Sequence, residues 1–352
     1  MPTATIKLST PAGLGTITAI DCGSSTPKLG GTIDVSAFPN LISIRCISNG
    51  ITRFQGYGPL TNLVAIEMGD NAFGAAQGNF ETLSNKPNLE TINFYATIGL
   101  QYNSWTGSFP DLTQNTQLKN VLINNTSLMG NNLDLSMLTK LELLFIQFNL
   151  LSGNFPILPT GANSKLRAIH FGSRVGSGYT SSTAPLLTDH PNCIGFVYSG
   201  NNVTGNIQPV PSLIESFWCD QNFHTGSIPS LAGKLWQFNC QNQRGATKLT
   251  GNIPNLANVF DLSLFWCDGN QLTGFATGGS VPSNLGNFQA NNNLLTSAAV
   301  NAILAAFVAA GRTHTNGTCI LNLGGTGNAA PTGQGLTDKT TLISRGWTVT
   351  TN

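Results

Sequence analysis

Tryptophan, cysteine, histidine and aspartate are the residues here that could do chemistry, and two stretches collect them: Trp218-Cys219-Asp220 and Trp266-Cys267-Asp268. Paired carboxylates can act as general acid and base on a glycosidic bond. Cysteine beside histidine can make an activated nucleophile, and clustered thiols can hold zinc. The spacings argue against each. The 7 cysteines contain no Cys-x-x-Cys, and the 4 histidines (His170, His190, His224 and His314) stand at unrelated positions. No Ser-His-Asp or Cys-His set assembles from them. The sequence therefore predicts no metal, no cofactor and no enzyme activity.

Charge narrows the partners. Asp, Glu, Lys and Arg make up 9% of the 352 residues and the net charge is +1, against about 25% charged residues in ordinary soluble domains. Such a surface has no field with which to hold a nucleic acid or an anionic membrane. The opening MPTATIKLSTPAG lacks the basic and apolar regions of a Sec signal peptide. The most apolar window, AAVNAILAAFVAAG at 298–311, is too short to span a bilayer and carries Asn301. Neither nucleic-acid binding nor membrane insertion is expected.

The elements that must position these residues are written as a repeat. Around Asn270, Leu262, Phe265 and Cys267 precede and Leu272 follows, in the pattern L-x-x-L-x-L-x-x-N-x-L. The frame fits LISIRCISNGI (41–51, anchor Asn49), LVAIEMGDNAF (63–73, Asn71) and LELLFIQFNLL (141–151, Asn149). It fits CIGFVYSGNNV (193–203, Asn201) and LGNFQANNNLL (285–295, Asn293) as well. Weaker copies are anchored at Thr97, Thr126, Arg174, Asn222 and Gln243, for about eleven repeats. Alternation in L-x-L makes a short strand with its apolar residues inward. The anchor amide can satisfy backbone groups at the bend that follows.

After the anchor comes a second phrase: WTGSFP (105–110), LSGNFP (151–156), HTGSIP (224–229) and LTGNIP (249–254). Together these motifs resemble the plant-type leucine-rich-repeat family, LxxLxLxxNxLtGxIP, over roughly residues 37–296. The resemblance implies an α/β-type, β-dominated solenoid: a right-handed superhelix with a parallel concave sheet and a convex side of loops and 3-10 turns. Residues 1–36 read as a β-rich N-terminal cap and 37–296 as the solenoid. Residues 297–352 read as a C-terminal cap of helix, strand, short helix and strand. That tail is similar to segments closing bacterial and phage leucine-rich-repeat proteins. The Gly-rich GGTGNAAPTGQG (324–335) has no Gly-Lys-Ser/Thr ending and is not a phosphate loop.

The frame assigns faces. Cys46, Cys219, Cys240 and Cys267 all fall three residues before an anchor, pointing inward, and Cys193 takes another inward slot. This reads as a ladder of free buried thiols, since parallel neighbours seldom meet disulfide geometry. The position four before the anchor points out of the sheet. Its column runs Arg45, Glu67, Asn93, Leu122, Phe145, His170, Val197, Trp218, Asn239, Trp266 and Gln289. Leu122, Phe145, Val197, Trp218 and Trp266, with Tyr95 beside them, form an apolar-aromatic strip. Asp220 and Asp268 share one frame position about 10 Å apart, two strands at about 4.8 Å each. They read as solvated strand-end aspartates at the edge of that strip rather than as an acid–base pair.

The sequence thus predicts a non-catalytic recognition or structural protein that takes a protein or glycan on its concave face. A phage virion surface or tail component, with other virion proteins as partners, and an extracellular adhesin both fit. The alternatives are a regulatory protein-binding scaffold and a polysaccharide-active enzyme.

Overall fold

The computed structural model describes residues 16–23, 27–74, 80–97, 105–161, 164–173, 178–181, 183–313 and 319–352. Backbone proximity divides the chain into two units, Met1–Thr180 with Asp189–Asn192, and Ser181–Thr188 with Cys193–Asn352. One rule builds both.

In the first unit the strands are β1 (Ala19–Asp21), β2 (Ser43–Arg45), β3 (Ala65–Glu67), β4 (Thr91–Asn93), β5 (Asn120–Leu122), β6 (Leu143–Phe145) and β7 (Ala168–His170). Each pairs with the next in parallel and without slippage, so Ile44, Ile66, Ile92, Val121, Leu144 and Ile169 stand in one column. All six are fully buried. β-Branched and leucine side chains suit such a column because they fill the pleat with little rotamer freedom to lose.

The second unit repeats the rule with a different filling. Its strands are β8 (Gly195–Val197), β9 (Ser216–Trp218), β10 (Gln237–Asn239), β11 (Leu264–Trp266), β12 (Asn287–Gln289), β13 (Cys319–Asn322) and β14 (Trp347–Thr350). The inward column is now Phe196, Phe217, Phe238, Phe265 and Phe288. Phe217, Phe238, Phe265 and Phe288 stack nearly parallel, with centroids 5.7, 5.5 and 5.4 Å apart. Helix α1 (Ser297–Ala310) ends the stack by setting Phe307 edge-on against Phe288 at 5.3 Å. Thr296 caps α1 by accepting from the Ala299 N–H, and Gly311, at φ 73°, closes it.

The anchors act as the frame requires. Asn222 donates through Nδ2 to the carbonyls of Tyr198 (2.9 Å) and Cys219 (3.1 Å), and its Oδ1 accepts the Val203 N–H at 3.2 Å. Asn71 repeats this on Cys46, Met68 and Ile51. Asn149 does so on Ile123, Ile146 and Leu128, and Asn293 on Cys267, Ala290 and Leu272. Asn270 bridges Cys240 and Cys267, both at 3.1 Å; Asn49 holds the Cys22 carbonyl and Asn201 that of Tyr198. Gln243 substitutes for asparagine on Cys219 and Cys240 and accepts the His224 N–H. The residue before each of these asparagine and glutamine anchors is left-handed: φ is 51° at Asp70, 53° at Gln221, 52° at Asn242 and 68° at Gly269. This bend turns the amide back onto the strand, and Asn, Asp and Gly tolerate it best. Phe148 adopts it too, at 58°, despite its bulk.

Three anchors differ. Thr126 has one donor and cannot bridge two carbonyls, so it bonds Asn149 while Asn125 reaches the Ala96 carbonyl at 2.7 Å. Thr97 is exposed and tied to Asp70. Arg174 lies outside the described residues.

Beyond the anchors the chain forms additional short parallel ladders where the family resemblance implies loops and 3-10 turns. In the first unit Gly30–Asp34 pairs with Gly50–Gln55, and Ser127–Asn131 lies between Thr106–Ser108 and Leu150–Ser152. In the second, Thr204–Gly205 pairs with Phe223–His224 and Thr250–Ile253 with Gln271–Phe275. The Leu-Thr-Gly phrase is therefore itself extended backbone that pairs with the neighbouring coil.

The thiol ladder needs one correction. Cys46 is not free; it forms a disulfide with Cys22. The parallel pairing of β1 with β2 brings their Cα atoms to 4.8 Å, within reach of a bridge. Cys193, Cys219, Cys240 and Cys267 are buried free thiols, as is Cys319. Burial pushes the Cys219, Cys240 and Cys267 thiols well above their ordinary range.

Candidate functional site

The outward face of the second unit carries two rows. The first is Val197, Trp218, Asn239, Trp266 and Gln289, aligned strand to strand. Both tryptophans are half-buried, and their ring centroids lie 6.1 Å apart at 50°. Asn239, between them on β10, is almost wholly buried. The Trp266 indole N–H donates to Asn287 Oδ1 at 2.9 Å, whereas the Trp218 indole N–H is buried with no acceptor among the described residues.

Two residues further along each strand is the second row, containing Ser199, Asp220, Gln241, Asp268 and Asn291. Here the sequence reading is corrected, because Asp220 and Asp268 are 6% and 7% exposed rather than solvated. Their backbone lies between the indole row and the left-handed bend, a place that the strand frame alone does not distinguish from open water. Asp220 accepts a hydrogen bond from the Ser199 hydroxyl, and Asp268 Oδ2 accepts one from Asn242 Nδ2 at 3.1 Å. Asp268 Oδ1 has no partner among the described residues. Neither carboxylate makes an ion pair: among the described residues these are Arg45 with Asp21, Arg45 with Glu67, and Lys119 with Glu90.

Burial, with a smaller repulsion from Asp268, lifts Asp220 to a pKa of about 6, and burial raises Asp268 as well. A carboxyl whose pKa rises on folding holds its proton more tightly in the folded state. Its contribution to stability is complete below about pH 4 and is lost as pH rises through about 6. Asp220→Asn is therefore expected to stabilise the protein at neutral pH by about 1–3 kcal/mol and to lose that advantage below about pH 4. Urea denaturation of both proteins across this range checks it, and a constant difference would remove the argument.

The remaining strip residues belong to the first unit. Leu122, Phe145 and His170 are aligned on β5, β6 and β7. The Phe145 ring stacks on His170 at 4.2 Å, and burial lowers the His170 pKa to about 4, leaving a neutral imidazole. Tyr95 is half-buried, with its hydroxyl pKa raised by burial and by Asp70. At the start of this face Arg45 sits between Asp21 and Glu67 at 3.5 and 3.8 Å, an exposed network of small energetic weight. Among the described residues the histidines assemble no catalytic set. His224 is buried against Tyr198 (3.1 Å) and His190 against Ser164 (3.3 Å), while His314 lies outside the described residues.

A separate polar cluster is satisfied internally. Glu81 accepts the Gly56 and Gly58 N–H groups, and buried Lys86 donates to the Gly58 carbonyl and Asn85 Oδ1, both at 2.9 Å. Sequence reasoning missed Ser199 and Asn242 as carboxylate partners. Ser199 carried a signal, since it shares the frame position of Asp220 and Asp268.

A parallel β-solenoid with inward apolar columns and an asparagine at most of its described bends has the fold of leucine-rich-repeat proteins. No family model matches the chain, and neither does any curated protein. Among solved structures it is similar to the plant peptide hormone receptor RGFR1 in complex with RGF2. The TM-score is 0.60 at 20% identity, covering 76% of this chain and 43% of the receptor. It is similar also to the Arabidopsis receptor kinase HAESA in complex with the peptide hormone IDA and the co-receptor SERK1. There the TM-score is 0.60 at 18% identity, covering 79% and 46%. An internalin, InlF, from Listeria monocytogenes matches with TM-score 0.53 at 16% identity, covering 83% and 79%. The chain spans less than half the length of the two plant receptors. At these identities the likeness establishes the fold.

Proposed function

We propose that this chain is a non-catalytic recognition protein that binds a peptide segment of a protein partner on the outward face of its second unit. The observation that carries the reading is the half-buried Trp218–Trp266 pair beside two buried carboxylates that have no counter-ion among the described residues. Indole rings give a large contact area with little conformational entropy to lose, which suits a binding anchor. The solved plant receptors named above hold peptide hormones, which favours a peptide over other ligands for this fold. The low charge and neutral Asn/Thr/Gly surface fit a virion surface or an extracellular adhesin, and that placement is part of the proposal. No described helix is long and apolar enough to cross a membrane.

A glycan is the second reading, favoured by flat indoles flanked by the amides of Asn287 and Gln289. Displayed peptide libraries and a glycan array, each probed with the whole chain, separate the two. Trp218→Ala and Trp266→Ala are each expected to weaken the ligand found by about tenfold or more. Binding that survives both substitutions would place the ligand elsewhere.

A further inference from the structure

The geometry points to the Trp218–Trp266 pair and the Asp220–Asp268 carboxylates as the seat of a protonated alkylamine, the side chain of a lysine in the bound peptide. The inference rests on the peptide reading above and names the group that the site selects.

Three observations carry it. First, two carboxylates are buried on one face with no cation within ion-pair distance among the described residues. The groups beside them (Ser199, Gln241, Asn242 and Asn291) are neutral, as are the thiols of Cys219, Cys240 and Cys267 behind them. Buried charge in proteins is paired or neutralised, and the missing partner here is positive. Second, one oxygen of Asp268 is buried without a donor among the described residues, although the same carboxylate is held in place by Asn242 through its other oxygen. That is an acceptor already oriented for an N–H group. Third, the row above consists of two indoles at 6.1 Å, whose faces attract cations and whose area can cover an aliphatic stem.

The arrangement discriminates among cations. Ser199 holds Asp220 and Asn242 holds one oxygen of Asp268, so the other Asp268 oxygen is the acceptor left for a guest. A single open acceptor suits the compact ammonium of lysine, with the Asp220 carboxylate adding its charge from two strands away. It does not offer the parallel pair of oxygens that a guanidinium fork uses, because Asn242 takes the other oxygen of Asp268. A divalent metal would need further oxygen ligands, and the described residues hold no group of three metal-binding side chains.

The test titrates the whole chain by calorimetry with acetyl-Gly-Lys-Gly-amide, its Nε-acetylated twin and its norleucine twin. The lysine peptide is expected to bind at least about tenfold more tightly than either twin. Its affinity should fall as pH is lowered from about 7 to about 5, because protonation removes the carboxylate charge. Asp220→Asn with Asp268→Asn, an isosteric pair of changes, should abolish the preference. Equal binding of the lysine and norleucine peptides overturns the proposal. So does a preference that survives the double substitution, or no saturable binding of the lysine peptide at about 10 mM. Peptide binding that needs the tryptophans but ignores the amine removes the ammonium seat and leaves the recognition surface standing. Oligosaccharide binding without peptide binding removes both.

Discussion

Truncating Phe238 to alanine is expected to lower stability by about 4 kcal/mol, near the upper range for a buried aromatic. Phe238 is fully buried and lies between two stacked rings, with Phe217 at 5.7 Å and Phe265 at 5.5 Å. In-register neighbours on β9 and β11 fix the backbone on both sides, so the gap cannot close by a side-chain shift alone. A solenoid shares each coil's core only with adjacent coils, so no distant packing can compensate. Urea denaturation followed by circular dichroism measures the effect. Phe238→Leu, which keeps much of the volume, should recover at least half of it. A loss below about 1 kcal/mol for the alanine variant would show that the column is loosely packed.

The second large effect belongs to the anchors. Asn222→Ala is expected to cost about 2 kcal/mol, because it leaves one buried N–H without an acceptor, worth about 1–3 kcal/mol, and takes one of two donors from each of two buried carbonyls. The N–H is that of Val203, and the carbonyls are those of Tyr198 and Cys219, which keep Asn201 and Gln243 as donors. Asn222→Asp is the sharper comparison. It keeps the shape and the acceptor but replaces the donor with an oxygen facing two carbonyls. It should destabilise at neutral pH at least as much as alanine and recover in acid, where a protonated carboxyl can donate once. Denaturation midpoints at about pH 7 and about pH 4 provide the check. An aspartate variant as stable as the native protein would mean that the amide does not hold the bend.

These two predictions also mark what was legible in the sequence. The columns and anchors are periodic, and a period survives irregular spacing, so Phe238 and Asn222 could be placed from the frame alone. Asn328 could not, although it closes the series by donating to the Ala290 and Leu323 carbonyls and accepting the Leu295 N–H. Gly324–Gly327 stands between it and its strand, which breaks the count. The burial of Asp220 and Asp268 was equally hidden. A strand frame states which way a side chain points, while the water around it depends on neighbours that come from other coils. The Cys22–Cys46 bridge escaped for a related reason: residues 1–36 carry no anchor, so nothing in the pattern set Cys22 beside β2.

The free cysteines have a further consequence. Cys219, Cys240 and Cys267 are shut away from solvent, and their thiols hold their protons far above neutral pH. A thiol-directed reagent therefore meets them only when a coil parts from its neighbour, since reaction needs an exposed thiolate. Their labelling rates become clocks, each ticking at the frequency with which one stretch of the stack comes open. Read at three consecutive coils, those clocks would show whether the second unit breathes as a block or unzips turn by turn, and whether an occupied outward face slows the motion.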